Sequence, residues 1–334
     1  METVKPMDYS RVLKLSGIVG IPLFLIMATL LLYYSAVKPL NIEGRETTHA
    51  HISSNEVIEN SGYSGERRQI VPRADDAQSR LFIPLDLQVT SEDIYIEDSY
   101  ATRQLMIQID GMKADFFDEN EMFGQLRGIR TITLWESEEN LLILISLDRV
   151  YEYEMLLENQ KLSLCLMPPG EVYDRIVVLG SSEEGISDEI THKVQQLLEQ
   201  VGVRVYMMPA EYETDYDEAF VGETDAKLYV EIRTGDSEDY GISAYYNDVY
   251  YVDSYTNASF ADLLVRRSAE SVSNRGIGIY GAPEGDVLGA VRITAARVVV
   301  GSVNNDSERE LLEREDYQSD LAAGITQAIL EALE

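Results

Sequence analysis

The chain has 334 residues, enough for one large domain or two ordinary ones with sizeable cores. Its 59 acidic residues against 27 basic give a formal net charge of −32, which repels nucleic-acid phosphate and excludes a nucleic-acid role. The single cysteine, Cys165, rules out an intrachain disulfide and a cysteine-built zinc site, and His49, His51 and His192 are the only imidazoles.

Residues 15–37, LSGIVGIPLFLIMATLLLYYSAV, carry no charge and lie between Lys14 and Lys38. At about 1.5 Å per residue such a helix reaches about 30 Å or more, the thickness of a bilayer core. Tyr33 and Tyr34 stand at its far end, as interfacial aromatics do. Lys5, Arg11 and Lys14 precede it, so the tail 1–14 is expected to stay cytoplasmic and the rest to be extracytoplasmic. A cleavage site at Tyr34-Ser35-Ala36 would place a bulky residue where a small one is needed, so the run reads as an uncleaved single-pass anchor in the cell membrane. Residues 38–78 are polar and aperiodic and read as a flexible stalk. His49 and His51 fall there, as polar residues rather than ligands.

From 79 to 169 short β-type runs recur about every 10–12 residues, which predicts an all-β sandwich. They are RLFIPLDLQV, SEDIYIEDSY, RQLMIQIDG, RTITLWESE, NLLILISLD, YEYEMLLEN and KLSLCLMP. Trp135 and Cys165 are expected to pack in its core. Pro168-Pro169-Gly170 breaks the pattern and marks a domain boundary.

Residues 170–334 then alternate strands and helices, predicting an α/β domain with a mixed sheet flanked by helices. The strand DRIVVL leads to a helix, SDEITHKVQQLLEQVG, with Ser187 as its expected N-cap. Ile190, Val194, Leu197, Leu198 and Val201 form its buried face. VRVYMMP, KLYVEIRT, GISAYYND, VYYVDSY and RVVVGSV read as strands, ASFADLLVRRSAESVS and the segment from about Tyr317 as helices. The segment EYETDYDEAFVGETD reads as a solvated acidic loop, and His192 as a lone histidine beside the buried stripe.

In order and spacing, several stretches of 174–334 resemble the zinc-dependent N-acetylmuramoyl-L-alanine amidases, the Amidase_3 family of cell-wall hydrolases. RIVVLGSSEEG lies where the family has a strand followed by Asp-Pro-Gly-His-Gly-Gly. SDEITHKVQQLLEQVGVRVYM resembles its Glu-Lys-Asp-Ile-Thr-Leu helix and next strand. DAKLYVEIRTGDS is similar to Ala-Asp-Leu-Phe-Ile-Ser-Ile-His-Ala-Asn-Ala. NRGIGIYGAPEGDVLGAVRITAARVVVGSVNND is similar to the Arg-Gly segment with Pro-Ala-Val-Leu-Val-Glu-Leu-Gly-Phe-Leu-Ser-Asn. LLEREDYQSDLAAGITQAILEALE resembles the closing helix. More weakly, the preceding β region resembles AMIN-type wall-targeting domains.

The resemblance implies a His, Glu, His zinc set and a separate catalytic Glu. Here those positions fall on Glu183, Ser187, Arg233 and Val299. An arginine cannot ligate a cation and valine cannot move a proton. No cofactor and no metal are therefore expected, although the related active enzymes use zinc, and an ion pair between Glu183 and Arg233 is expected in the metal's place. The reading is a catalytically inactive, anchored amidase homologue that binds peptidoglycan or a cell-wall, division or sporulation protein. Tyr240, Tyr245, Tyr246, Tyr250 and Tyr251 offer a binding surface. An active amidase with an unusual metal site and a structural envelope module without glycan contact stand as alternatives.

Overall fold

The computed structural model describes residues 68–73, 80–124, 126–137, 139–181, 185–208, 214–236, 240–248 and 256–334. The 15–37 run, His49, His51, Glu183, Tyr250, Tyr251 and the VYYVDSY segment lie outside the described residues. Among the described residues, no helix is long and apolar enough to cross a membrane.

The N-terminal unit is built from β1 (Arg68–Ile70), β2 (Leu81–Pro84), β3 (Ile94–Ser99), β4 (Gln104–Asp110), β5 (Phe123–Gly124), β6 (Ile129–Glu136), β7 (Asn140–Leu147), β8 (Glu152–Glu158) and β9 (Lys161–Met167), with a one-turn α1 (Phe116–Glu119). One sheet has the order β1-β6-β7-β4-β3, the other β5-β2-β9-β8. The alternation of β7 shows why they face each other. Leu141, Ile143, Ile145 and Leu147 point inward with Ile107 and Leu134, against Leu81, Ile83, Leu162 and Leu164 of the other sheet.

Three expectations need correction. Arg68–Ile70, within the segment read as stalk, pairs with Ile132–Leu134 as an edge strand. Trp135 alternates outward and packs with Met106, Leu142 and Leu144 on the opposite face of its sheet. Cys165 is only half-buried, because Leu162 and Leu164 take the inward positions of β9.

After the single turn α2 (Pro169–Val172), the C-terminal unit runs β10 (Ile176–Gly180), α3 (Ile186–Gln200), β11 (Arg204–Met207), α4 (Thr214–Glu223), β12 (Leu228–Gly235), β13 (Ile242–Tyr246), α5 (Asn257–Ser271), β14 (Gly276–Gly281), α6 (Val287–Ala290), β15 (Thr294–Ser302), α7 (Asp306–Leu312) and α8 (Glu315–Ala332). Its mixed sheet has the order β11-β10-β12-β15-β13-β14, with β13 antiparallel to β15 and the other pairs parallel. Val230, Ile232, Val298 and Val300 face a core shared with Ile190, Val194, Phe260, Leu264, Leu321 and Ile325 of α3, α5 and α8.

The start of α3 differs from expectation. Gly185 is the N-cap at φ 98°, Ser187 is buried inside the first turn, and Val201 is 47% exposed at the helix end. The acidic segment also differs. It contains α4, because Phe220 and Val221 have an apolar seat waiting for them.

That seat is the second face of the sheet, and the sandwich helps to build it. Tyr100 and Val150 join Ile176, Val178, Tyr206, Phe220 and Tyr229 in one core. The Tyr100 ring stands edge-on to Tyr206 at 5.3 Å, and its hydroxyl accepts from the Met207 amide at 3.0 Å. Arg103 donates twice to Glu223, at 2.6 and 3.1 Å, and Glu223 also accepts from the Val150 amide at 3.1 Å. Glu152 accepts from Arg204 at 2.7 Å and from the Tyr206 hydroxyl at 2.6 Å. The two units are therefore docked through a shared core with paired charges, not strung on a free linker.

Asp98 lies in this junction, and burial pushes its carboxyl up to about 7 despite Arg204, with Glu152 adding to the rise. Folded Asp98 thus keeps a proton that the unfolded chain releases near its ordinary value of 3.8. Folding stability should fall as pH rises from about 4 to about 7. Denaturant titrations at several pH values check this, and Asp98→Asn is expected to reduce the slope.

Candidate functional site

Two of the sequence-matched positions, Arg233 and Val299, lie on the face of the sheet turned away from α3, α5 and α8, while Ser187 is buried in the first turn of α3. Along β12, Leu228, Val230 and Ile232 point into the helical core, so Tyr229, Glu231 and Arg233 point to the other side. In β15 the same alternation turns Ala295, Arg297 and Val299 to that side. The parallel register sets Glu231 beside Arg297 and Arg233 beside Val299.

Glu231 is buried, with 3% of its side chain exposed, and a buried carboxylate needs partners. Its Oε1 accepts from Arg233 Nε at 2.5 Å and its Oε2 from Arg297 Nε at 2.6 Å. Arg297 reaches on with both terminal nitrogens to Asp286, at 2.8 and 3.0 Å. Asp286 also caps α6, accepting from the Leu288 amide at 3.0 Å. Burial works against the Arg297 charge, yet Glu231 and Asp286 outweigh it and its pKa is raised. Two cations and two anions thus close a chain Arg233–Glu231–Arg297–Asp286.

Asp217, on α4, borders the network. Burial and the negative charge of Glu231 push its carboxyl up to about 6, and its Oδ1 is buried with no hydrogen-bond partner. The Tyr229 hydroxyl stands 2.9 Å from where a side chain at Gly180 would begin, so only glycine fits at the end of β10. Burial first, then the nearby carboxylates, keep this phenol protonated.

The donor chemistry decides whether zinc fits. A hydrolytic zinc site needs three lone-pair ligands and an open position. Arg233 offers only N–H donors and is permanently charged, and Val299 offers neither ligand nor base. Ser187 is buried in the first turn of α3. Among the described residues, no group of three or more His, Cys, Asp or Glu side chains is placed to hold a metal. Arg233, Val299 and the buried Ser187, the matched positions among the described residues, do not supply a zinc ligand set.

Glu183 lies outside the described residues, so its pairing with Arg233 is not described. Arg233 is engaged by Glu231, a partner that sequence reasoning missed. The signal was there: KLYVEIRT and AARVVV each place charge inside an otherwise apolar strand, and buried charge demands a mate. On its own helix, His192 lies 3.5 Å from Asp188 and 3.3 Å from Gln195.

The tyrosines divide. Tyr245 packs toward the second face, its ring 5.7 Å from Tyr280, while Tyr246 packs toward the helical core. Tyr240 is 36% exposed, with the Arg275 guanidinium 5.9 Å from its ring centre.

No curated protein matches the chain. Among solved structures, an N-acetylmuramoyl-L-alanine amidase from Clostridium difficile 630 is 18% identical, with a TM-score of 0.42 over 47% of this chain and 96% of its own. The catalytic domain of CwlV from Bacillus (Paenibacillus) polymyxa var. colistinus is 22% identical, with a TM-score of 0.40 over 47% of this chain and 97% of its own. The CwlD amidase from Clostridioides difficile, solved in complex with the GerS lipoprotein, is 17% identical, with a TM-score of 0.43 over 48% and 98%. Residues 169–331, the mixed-sheet α/β domain, match the family model described as N-acetylmuramoyl-L-alanine amidase (Amidase_3).

Proposed function

We propose that this chain is a catalytically inactive homologue of the zinc N-acetylmuramoyl-L-alanine amidases, anchored through residues 15–37 with its folded units outside the membrane. It binds peptidoglycan or a cell-wall protein and positions or regulates a wall enzyme. The observation that carries the reading is Arg233: a guanidinium bonded to the buried Glu231 stands at the position matched to a zinc-binding histidine. A guanidinium offers a cation no lone pair, so it cannot replace the histidine as a ligand. The uncharged, tyrosine-bordered 15–37 run supports the anchor, and Lys5, Arg11 and Lys14 support its orientation. The sandwich placed ahead of the amidase-like domain supports an AMIN-type, wall-targeting role for residues 79–169.

Sedimentation of the full chain in mild detergent with purified peptidoglycan tests this. The chain is expected in the pellet, with no stem peptide released. Release of stem peptides would establish an active amidase, and a chain left wholly in the supernatant, with no wall protein bound, would point to the structural module.

A further inference from the structure

The strand β14, Gly-Ile-Gly-Ile-Tyr-Gly, is the edge of the mixed sheet, and among the described residues no strand pairs with its outer side. Exposed edges are ordinarily blunted by charge, proline, bulges or short length; β14 contains no charge and no proline. Its one irregularity is a bulge at Ile277, between the pairs Gly276–Ile242 and Gly278–Ser243. Two of its apolar side chains face solvent, Ile277 at 39% and Tyr280 at 45% exposure.

The two ends of this edge carry opposite charge. At its start stands Arg275, exposed and donating to the Tyr240 carbonyl at 2.8 Å. At its end the exposed Asp248 lies against Gly281, and the exposed Glu284 follows Pro283. An antiparallel mate of the same sequence would set Arg275 of each copy near Asp248 and Glu284 of the other. It would also bring the Ile277 and Tyr280 of both copies onto one shared edge. A parallel mate would set like charge against like.

We infer that β14 is a self-association surface: two copies of this chain pair antiparallel along β14 across a two-fold axis, joining their sheets into one. The net charge of −32 opposes association, but at physiological salt it is screened beyond about 8 Å, whereas the edge contacts are direct.

Sedimentation equilibrium of the full chain in density-matched mild detergent, from low to high micromolar, tests the inference. The expected result is a monomer–dimer equilibrium. Ile277→Lys and, separately, Tyr280→Lys should each weaken the dimer at least tenfold, with far-UV circular dichroism and Tm unchanged. Arg275→Glu should weaken it too, and adding Glu284→Arg should restore it. A chain that stays monomeric throughout, or a dimer that both lysine variants leave intact, would overturn the inference.

Discussion

Replacing Glu308 by Ala is expected to destabilise the amidase-like domain by about 3–5 kcal/mol, read from denaturant unfolding of the full chain. Glu308 is only 2% exposed, in the first turn of α7. Its Oε1 accepts from the Gly241 amide at 2.9 Å and from Asn274 at 3.1 Å, and its Oε2 accepts from the Ser302 amide at 2.8 Å. One carboxylate thus ties the entry to β13, the end of α5 and the end of β15 to α7. Truncation leaves buried donors without partners, which costs their full desolvation. Glu308→Gln keeps one acceptor oxygen but turns an amide N–H toward donors, so it should cost about 2–3 kcal/mol. Equal, small effects of both variants would mean that water replaces the carboxylate freely.

The second large effect is expected at Arg297. Arg297→Met should cost about 3–5 kcal/mol, because it strips one guanidinium from the buried Glu231 and all of the pairing that Arg297 gives Asp286. Arg297→Lys should recover only part, since a point charge cannot bridge two carboxylates as the planar fork does. Unfolding curves of the two variants check the order. If lysine serves as well as arginine, the bridging geometry contributes nothing.

Much of this architecture was legible in the sequence because burial imposes a period. Leu141, Ile143, Ile145 and Leu147 alternate, and Ile190, Val194 and Leu198 repeat every four residues, so the β7 and α3 elements announce themselves. The order of strands and helices after Gly170 was legible for the same reason. What alternation alone does not reveal is which face is the core. Trp135 and Cys165 were assigned inward by residue type, whereas their neighbours' parity turns them out.

Composition concealed two elements. The acidic residues around Phe220 hid α4, whose seat includes Tyr100 from the sandwich, 120 residues earlier in the chain (220 − 100). The glycines of GIGIYG hid β14. At the site, motif spacing drew attention to Arg233, which the structure places beside Val299 on neighbouring strands. The Glu231–Arg297 pair was not legible, because it depends on β12 lying beside β15, a neighbour relation set by the fold. The docking of the sandwich on the α/β sheet through Glu152, Glu223 and Arg204 was hidden likewise.

On the proposed function, the Arg233–Glu231–Arg297–Asp286 network leaves zinc no seat. Zinc content of the full chain, measured after incubation with the metal and desalting, tests it most directly. The expected result is far less than one zinc per chain, unchanged by Arg233→Ala. One tightly held zinc per chain would contradict it.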